Sequence, residues 1–115
     1  MRVLVVEDEF LVALMIEDTL ADAGCIVVGP FARVPEALVA ARTETVDAAL
    51  LDVNVAGVKV FPVAHVLEER DVPFLFVTGY GQAALPRDRP KWEACTKPFH
   101  PHHLTECLAR RLKTA

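Results

Sequence analysis

The chain has 115 residues, 53% of them hydrophobic and 24% charged, which gives one compact domain a real core and leaves little chain for a second. A net charge of −4 excludes the concentrated basic face that phosphate-backbone binding needs, so no nucleic-acid partner is expected. No apolar run approaches a bilayer span and Arg2 to Val6 is too short for a signal-peptide core, so the expectation is a cytoplasmic protein with no membrane contact. Cys25, Cys95 and Cys107 are odd in number and lack a C-x-x-C spacing, which argues for reduced thiols and against a disulfide framework or a zinc site.

Val3 to Val6 is a continuous, β-branched apolar run, the pattern of a strand covered on both faces. From Phe10 to Ala23 the spacing turns helical, with Val12, Ala13, Ile16, Leu20 and Ala23 on one stripe and Gly24 as terminator. Leu11, Leu14 and Met15 fall off that stripe and are expected to face outward. Ile26 to Val28 reads as a second strand ended by Gly29-Pro30, and a helix from about Val34 buries Val34, Ala37, Leu38 and Ala41. Val46 to Leu51 is a third strand that hands over Asp52. After a loop containing Gly57, Val60, Val63, Ala64 and Leu67 mark a third helix, with Pro62 tolerable in its first turn and His65 off the stripe in solvent. Phe74 to Val77 is a fourth strand, Glu93 to Thr96 a short fifth, and a last helix from about His102 buries Leu104, Leu108 and Leu112.

Strand and helix alternate, which with right-handed crossovers gives a doubly wound parallel sheet. One connection breaks the rhythm. Between Thr78 and Glu93, Pro86 and Pro90 each remove a donor and Gly79 and Gly81 loosen the front end, so the fourth helix is expected to be short or missing. Arg110, Arg111 and Lys113 fall in the last turn of the last helix, where cations suit the dipole. His100, His102 and His103 near its start are expected to be neutral and solvated.

In a parallel sheet the C-terminal strand ends share one edge, and ligands bind there. That edge would collect Glu7, Asp8, Asp52, Thr78 and Lys97. Three close carboxylates repel unless a cation or protons offset them. An all-oxygen donor set fits Mg²⁺ and not zinc. Beside such an ion Asp52 can accept a phosphoryl group as an acyl phosphate, Lys97 supplies a cation, and the Thr78 hydroxyl and the backbone N–H groups of Asn54 and Gly79 supply donors.

The combination Val3-Leu-Val-Val-Glu7-Asp8-Glu9, Leu51-Asp52-Val53-Asn54, Thr78-Gly79 and Lys97-Pro98-Phe99 resembles the receiver domain of two-component response regulators over nearly the whole chain. The resemblance implies a flavodoxin-like, CheY-like five-stranded sheet in the order 2-1-3-4-5. It makes Asp52 the residue phosphorylated by a histidine kinase or histidine phosphotransfer protein. Asp8, Asp52 and the carbonyl of Asn54 would bind Mg²⁺ directly, Glu7 would act through water, Thr78 and Lys97 would contact the phosphoryl group, and the Lys97-Pro98 bond would be cis. Two positions depart from the pattern: Ala94 stands where receivers commonly carry a mobile aromatic, and Ala56 where a proline is common. Pro73 to Gly81 resembles the signature of the FAT GUY receivers, often stand-alone proteins of alphaproteobacterial stress phosphorelays that tend to lack an ordered fourth helix.

The expectation is therefore a single receiver domain over residues 1–115 without an effector domain, monomeric, acting as a phosphorylation-controlled switch or shuttle rather than an enzyme. Tyr80 is the candidate switch residue, within a Gly79 to Trp92 loop that phosphoryl contacts would reorganise. Leu11, Leu14, Met15, Pro98 and Phe99 are the candidate partner-docking residues. The rivals are a phosphohydrolase with an aspartyl nucleophile, disfavoured because Asn54 stands where a second aspartate would act as general acid, and a receiver fold kept only as a protein-binding scaffold.

Overall fold

The structure, a computed structural model, describes residues 1–114, with side chains through Leu112, so the side chain of Lys113 lies outside the described residues. Strands β1 (Arg2–Val6), β2 (Ile26–Phe31) and β3 (Ala48–Asp52) alternate with helices α1 (Phe10–Asp22) and α2 (Val34–Thr43). A two-residue hairpin, β4 (Asn54–Val55) and β5 (Val58–Lys59), precedes α3 (Phe61–Glu69), followed by β6 (Phe74–Thr78), β7 (Ala94–Thr96) and α4 (Pro101–Thr114). The main sheet is parallel in the order β2-β1-β3-β6-β7. Counted without the hairpin, this is the expected 2-1-3-4-5.

Alternation along each strand sorts the core into two layers, because successive side chains leave opposite faces of a sheet. Leu4, Val6, Ala49, Leu51, Phe74 and Phe76 meet Val34, Ala37 and Ala41 of α2 and Val63, Ala64 and Leu67 of α3. Val3, Val5, Ala48, Leu50, Leu75, Val77 and Cys95 meet Ile16 and Leu20 of α1 and Leu104, Cys107 and Leu108 of α4. Both faces are covered, which is why these strands read as unbroken apolar runs rather than alternating ones. Register then fixes the edge: Asp52 lies opposite Val77, and Thr78 opposite Thr96.

No full helix fills the connection between β6 and β7; it holds a single 3-10 turn, Gly81–Ala84, as the two prolines required. What tethers it instead is Gln82, whose Nε2 donates to the carbonyl of Trp92 at 2.5 Å while its Oε1 accepts from Ala94 N at 3.2 Å. Gly81 has φ +60 and a Cβ there would sit 2.9 Å from Thr96 Oγ1. Gly81→Ala should therefore cost about 1–3 kcal/mol, from left-handed strain plus displacement of Thr96; an unchanged denaturant midpoint would show that the turn is not held in this conformation.

Several expectations need correction. β2 continues through the cis Gly29-Pro30 bond to Phe31, because the register against β1 shifts between Leu4 and Val6 and lets the Glu7 N–H reach the Phe31 carbonyl at 2.9 Å. Ala23 is the exposed cap of α1, not part of its buried stripe, and Gly24 at φ +82 supplies the left-handed exit. Met15 is half-buried against the α1 and α4 layer rather than outward, whereas Leu11 and Leu14 are exposed. The expected loop after Asp52 holds the β4–β5 hairpin; two-residue strands carry too little periodicity to show in the sequence. The last helix begins one residue early, at Pro101, where a missing N–H costs nothing.

Candidate functional site

Parallel strand ends place the residues singled out from sequence around one hollow of about 500 Å³, lined by Asp8, Glu9, Asp52, Asn54, Thr78, Gly79, Tyr80 and Lys97. Carboxylate oxygens of Glu7, Asp8 and Asp52 lie within 4.8 Å of one another. Glu7 and Asp52 are buried and Asp8 is exposed at the rim. The Ala56 N–H donates to Asp8 Oδ2 at 2.9 Å, so the turn of the β4–β5 hairpin orients that carboxylate. Ala56 holds φ +51 to do so, in a region that a proline could not enter.

Lys97 bridges the cluster. Its Nζ lies 2.8 Å from Glu7 Oε1, 3.2 Å from Glu9 Oε1 and 3.6 Å from Asp52 Oδ1. The backbone brings it there: Lys97 N donates to the Thr78 carbonyl at 2.8 Å, extending the β6–β7 ladder past Thr96, and the Lys97-Pro98 bond is cis as expected. Burial pulls the Lys97 ammonium toward deprotonation, but Glu7, then Asp52 and Glu9, outweigh it and hold its pKa above the ordinary value. Asp52 goes the other way from a salt-bridged carboxylate. Burial, then the charge and contact of Glu7, push it up to about 7, with Asp8 adding to the rise and Lys97 only partly opposing it.

Thr78 is buried at the end of β6, and its hydroxyl accepts the Tyr80 N–H at 3.2 Å. Tyr80 itself is 77% exposed. Gly79 is also exposed, and an added Cβ would meet nothing within 4 Å, so the protein's own packing does not require glycine there. The candidate docking residues border a neighbouring surface. Leu11, Leu14 and Met15 line a groove between α1 and α4 with His100, Pro101 and His102, while Pro98 and Phe99 share a hollow with Glu9, Val12, Met15 and Lys97. Glu9 is a member of the site that the sequence pattern does not single out. Three consecutive acids after a strand are visible in the sequence, but that Glu9 joins Glu7 at Lys97 while Asp8 turns to the Ala56 N–H depends on the backbone between β1 and α1.

The donor set suits a hard cation. It is all oxygen, and Glu7 Oε1 is the single buried side-chain oxygen among the described residues that lacks a hydrogen bond, while pairing with the Lys97 ammonium at 2.8 Å. A net-negative pocket with one carboxylate forced toward its neutral form has charge to spare for Mg²⁺.

The family model for the response regulator receiver domain matches residues 3–109. The chain is a member of that family. Among solved structures it is similar to SdrG from Sphingomonas melonis Fr1, with 38% identity, a TM-score of 0.85 and coverage of 96% of this chain and 95% of that one. The BeF3-activated conformation of SdrG from Pseudomonas melonis Fr1 matches at 37% identity with a TM-score of 0.80, over 96% of this chain and 95% of that one. The response regulator PhyR from Brucella abortus matches at 28% identity and a TM-score of 0.84, with 98% of this receiver aligned to 48% of PhyR. No curated protein sequence matches significantly. The receiver is thus a two-component signalling domain of the CheY-like fold, from a family of phosphoacceptors that bind Mg²⁺ at an acidic pocket and interact with histidine kinases and phosphotransfer proteins. No helix among the described residues is long and apolar enough to cross a membrane.

Proposed function

We propose that this receiver accepts a phosphoryl group on Asp52 from a phosphohistidine of a kinase or phosphotransfer protein and serves as a cytoplasmic switch or shuttle in a phosphorelay. The observation that carries this reading is Lys97 Nζ held over both Glu7 and Asp52 at the mouth of a three-carboxylate cluster, with Thr78 at its side. Asp8, Asp52 and the Asn54 carbonyl would hold Mg²⁺, and Glu7 would act through water; when bound, the ion offsets the charge of the carboxylates and of the incoming phosphate. A carboxylate oxygen of Asp52 forms the new O–P bond as the N–P bond of the donor breaks and the donor imidazole regains a proton. Lys97, the Thr78 hydroxyl and the N–H groups of Asn54 and Gly79 stabilise the phosphoryl oxygens, which is where catalysis of such transfer resides.

The receiver is proposed to work as a single domain over residues 1–115 and as a monomer; SdrG's alignment over 95% of its own length supports the one-domain part. The test is Mg²⁺-dependent labelling by acetyl phosphate, with the adduct mapped to one residue by mass spectrometry. Modification at Asp52 is expected; label that appears without Mg²⁺ or on another residue would overturn the reading, and multiple-turnover hydrolysis of small phosphate esters would favour a hydrolase.

The upstream partner is proposed to dock on the α1 groove beside the Lys97-Pro98-Phe99 loop, where Leu11 is 77% and Leu14 41% exposed. Replacing Leu14 and Met15 with serine should slow transfer from the cognate phosphohistidine protein by about tenfold or more, the loss of one or two apolar anchors. Acetyl-phosphate labelling should be unaffected; equal transfer rates would place the partner elsewhere. The switch is proposed to run through Thr78, whose hydroxyl gives up the Tyr80 N–H when it turns to phosphate, releasing Tyr80 and the segment from Gly79 toward Trp92. Amide exchange of that segment should change with beryllofluoride, and identical exchange would exclude the idea.

A further inference from the structure

A second cluster of metal-ligating groups lies on the α1 and α4 side of the sheet, away from the acidic pocket. We propose that Cys95, His103 and Cys107 form a site for one thiophilic d¹⁰ cation, Cu(I) or Zn(II). One sulfur comes from β7 and one from α4, with the histidine one helical turn before Cys107, so that all three donor atoms lie within 4.8 Å of one another.

The bland alternative is two cysteines packed as small hydrophobes, and both are indeed buried. Two features go beyond packing. His103, though exposed, holds its Nε2 3.5 Å from Cys107 Sγ, so the third donor faces sulfur from the solvent side of the buried pair. Arg110 donates from Nη2 to the same sulfur at 3.1 Å, placing a fixed cation where it would balance the charge of a metal-bound sulfur. Sulfur–metal bonds of about 2.3 Å require the two sulfurs to approach within about 3.8 Å, a movement of at most about 1 Å and within reach of side-chain adjustment. Two sulfurs and one imidazole are a soft set that discriminates against the Mg²⁺ suited to the oxygen cluster. Three donors complete a trigonal Cu(I) site, or a Zn(II) site whose fourth place is open on the His103 side.

Coordination releases the two thiol protons to solvent and leaves His103 neutral, with its proton on Nδ1. Burial, followed by the contact with Cys107, pushes the Cys95 thiol up to about 12, so binding at this sulfur must displace its proton. Once bound, the ion would tie β7 to α4 two residues before Lys97, bracing the strand end that carries the ammonium.

The test uses fully reduced protein with Mg²⁺ present in excess to occupy the oxygen site. Cobalt(II), as a zinc surrogate, should bind once per chain with a sulfur-to-metal charge-transfer band in the near ultraviolet, a band that oxygen ligands cannot give. Competition with chromophoric chelators measures Zn(II) and Cu(I) separately and assigns the cation by the tighter of the two. Cys25→Ser should leave the band intact, whereas His103→Ala and Cys107→Ser should weaken binding at least tenfold. Alkylation of the unmutated protein needs no variant to fold: metal should shield Cys95 and Cys107, with Cys25 as internal reference. Absence of the charge-transfer band together with no Cu(I) uptake in the competition, equal alkylation with and without metal, or formation of a Cys95–Cys107 disulfide by a pair that binds no metal would each overturn the proposal.

Discussion

Asp52→Asn is expected to take up no phosphoryl group from any donor and, at the same time, to fold more stably than the unaltered chain at neutral and alkaline pH. Loss of labelling follows because an amide oxygen is not a nucleophile toward phosphorus at these pH values. Gain of stability follows from the electrostatics of the pocket. The folded protein holds the Asp52 proton up to about pH 7, against an ordinary value of 3.8 in the unfolded chain, because burial, Glu7 and Asp8 all disfavour its charge. The folded state therefore binds this proton more tightly than the unfolded state. The stability contributed by that group is complete below about pH 4 and is lost as pH rises through about 7. At ~1.4 kcal/mol per pH unit the displacement sets a ceiling of roughly 4 kcal/mol, and relaxation with water entry should leave ~1–3 kcal/mol. The new amide also offers a donor to Glu7 Oε1, the buried oxygen that now has no hydrogen bond. Thermal unfolding without Mg²⁺ should give nearly equal midpoints for the two chains at pH 4 and the widest separation at pH 8. Mg²⁺ at pH 8 should raise the unaltered chain more than the variant, since an ion that binds only the folded state stabilises it by mass action. A variant no more stable at pH 8 than its parent, or equal Mg²⁺ effects on both, would show that the carboxylates do not share one pocket.

Legibility of this site in the sequence has a physical basis. Asp52, Thr78 and Lys97 each close or follow an apolar run, and a parallel sheet can only send such ends to one edge, so their convergence required no knowledge of side-chain positions. The buried stripe Val63, Ala64 and Leu67 of α3 followed from helical period in the same way. What could not be read were contacts set by one residue of phase. Glu9 joins Glu7 at the Lys97 ammonium, a second contact that depends on the phase of the chain where β1 gives way to α1 at Phe10. Gly29-Pro30 looked like a terminator because proline removes a donor, yet β2 is an edge strand and tolerates it. His103 and Cys107 stand one helical turn apart in plain view, but Cys95 joins them only through the packing of α4 across β7.

Trp92→Ala should be the most destabilising single truncation in the connection that replaces the fourth helix, at about 3–5 kcal/mol. Sequence marked this segment only as a place where helix fails, and the fold shows what does the helix's work of covering β6. Trp92 is 2% exposed, with its ring 5.2 Å from Phe76, 5.7 Å from Phe74, 5.9 Å from Phe61 and 5.3 Å from His65. Its Nε1 donates to Glu68 Oε2 at 3.0 Å, and Arg89, itself 3.2 Å from Glu68, lies over the ring at 5.4 Å. One side chain thus ties the connection to α3 and to the sheet. Most of the cost should come from the void among three phenylalanines, since the Arg89 and Glu68 side chains remain 39% and 44% exposed and their ion pair is worth little. Trp92→Phe should accordingly recover more than half of the loss while giving up the Glu68 hydrogen bond, and Glu68→Gln, which keeps an acceptor, should stay within about 1 kcal/mol of the parent. The anchor also limits the switch: the proposed release at Thr78 can free the segment from Gly79 onward only as far as this ring. Trp92 is the sole tryptophan, so its emission reports directly. If beryllofluoride moves only the front of the connection, emission stays that of a buried indole while Tyr80 and its neighbours change; a red shift to solvent-exposed emission would mean that the whole segment detaches and that the aromatic cluster is not the fixed end assigned to it.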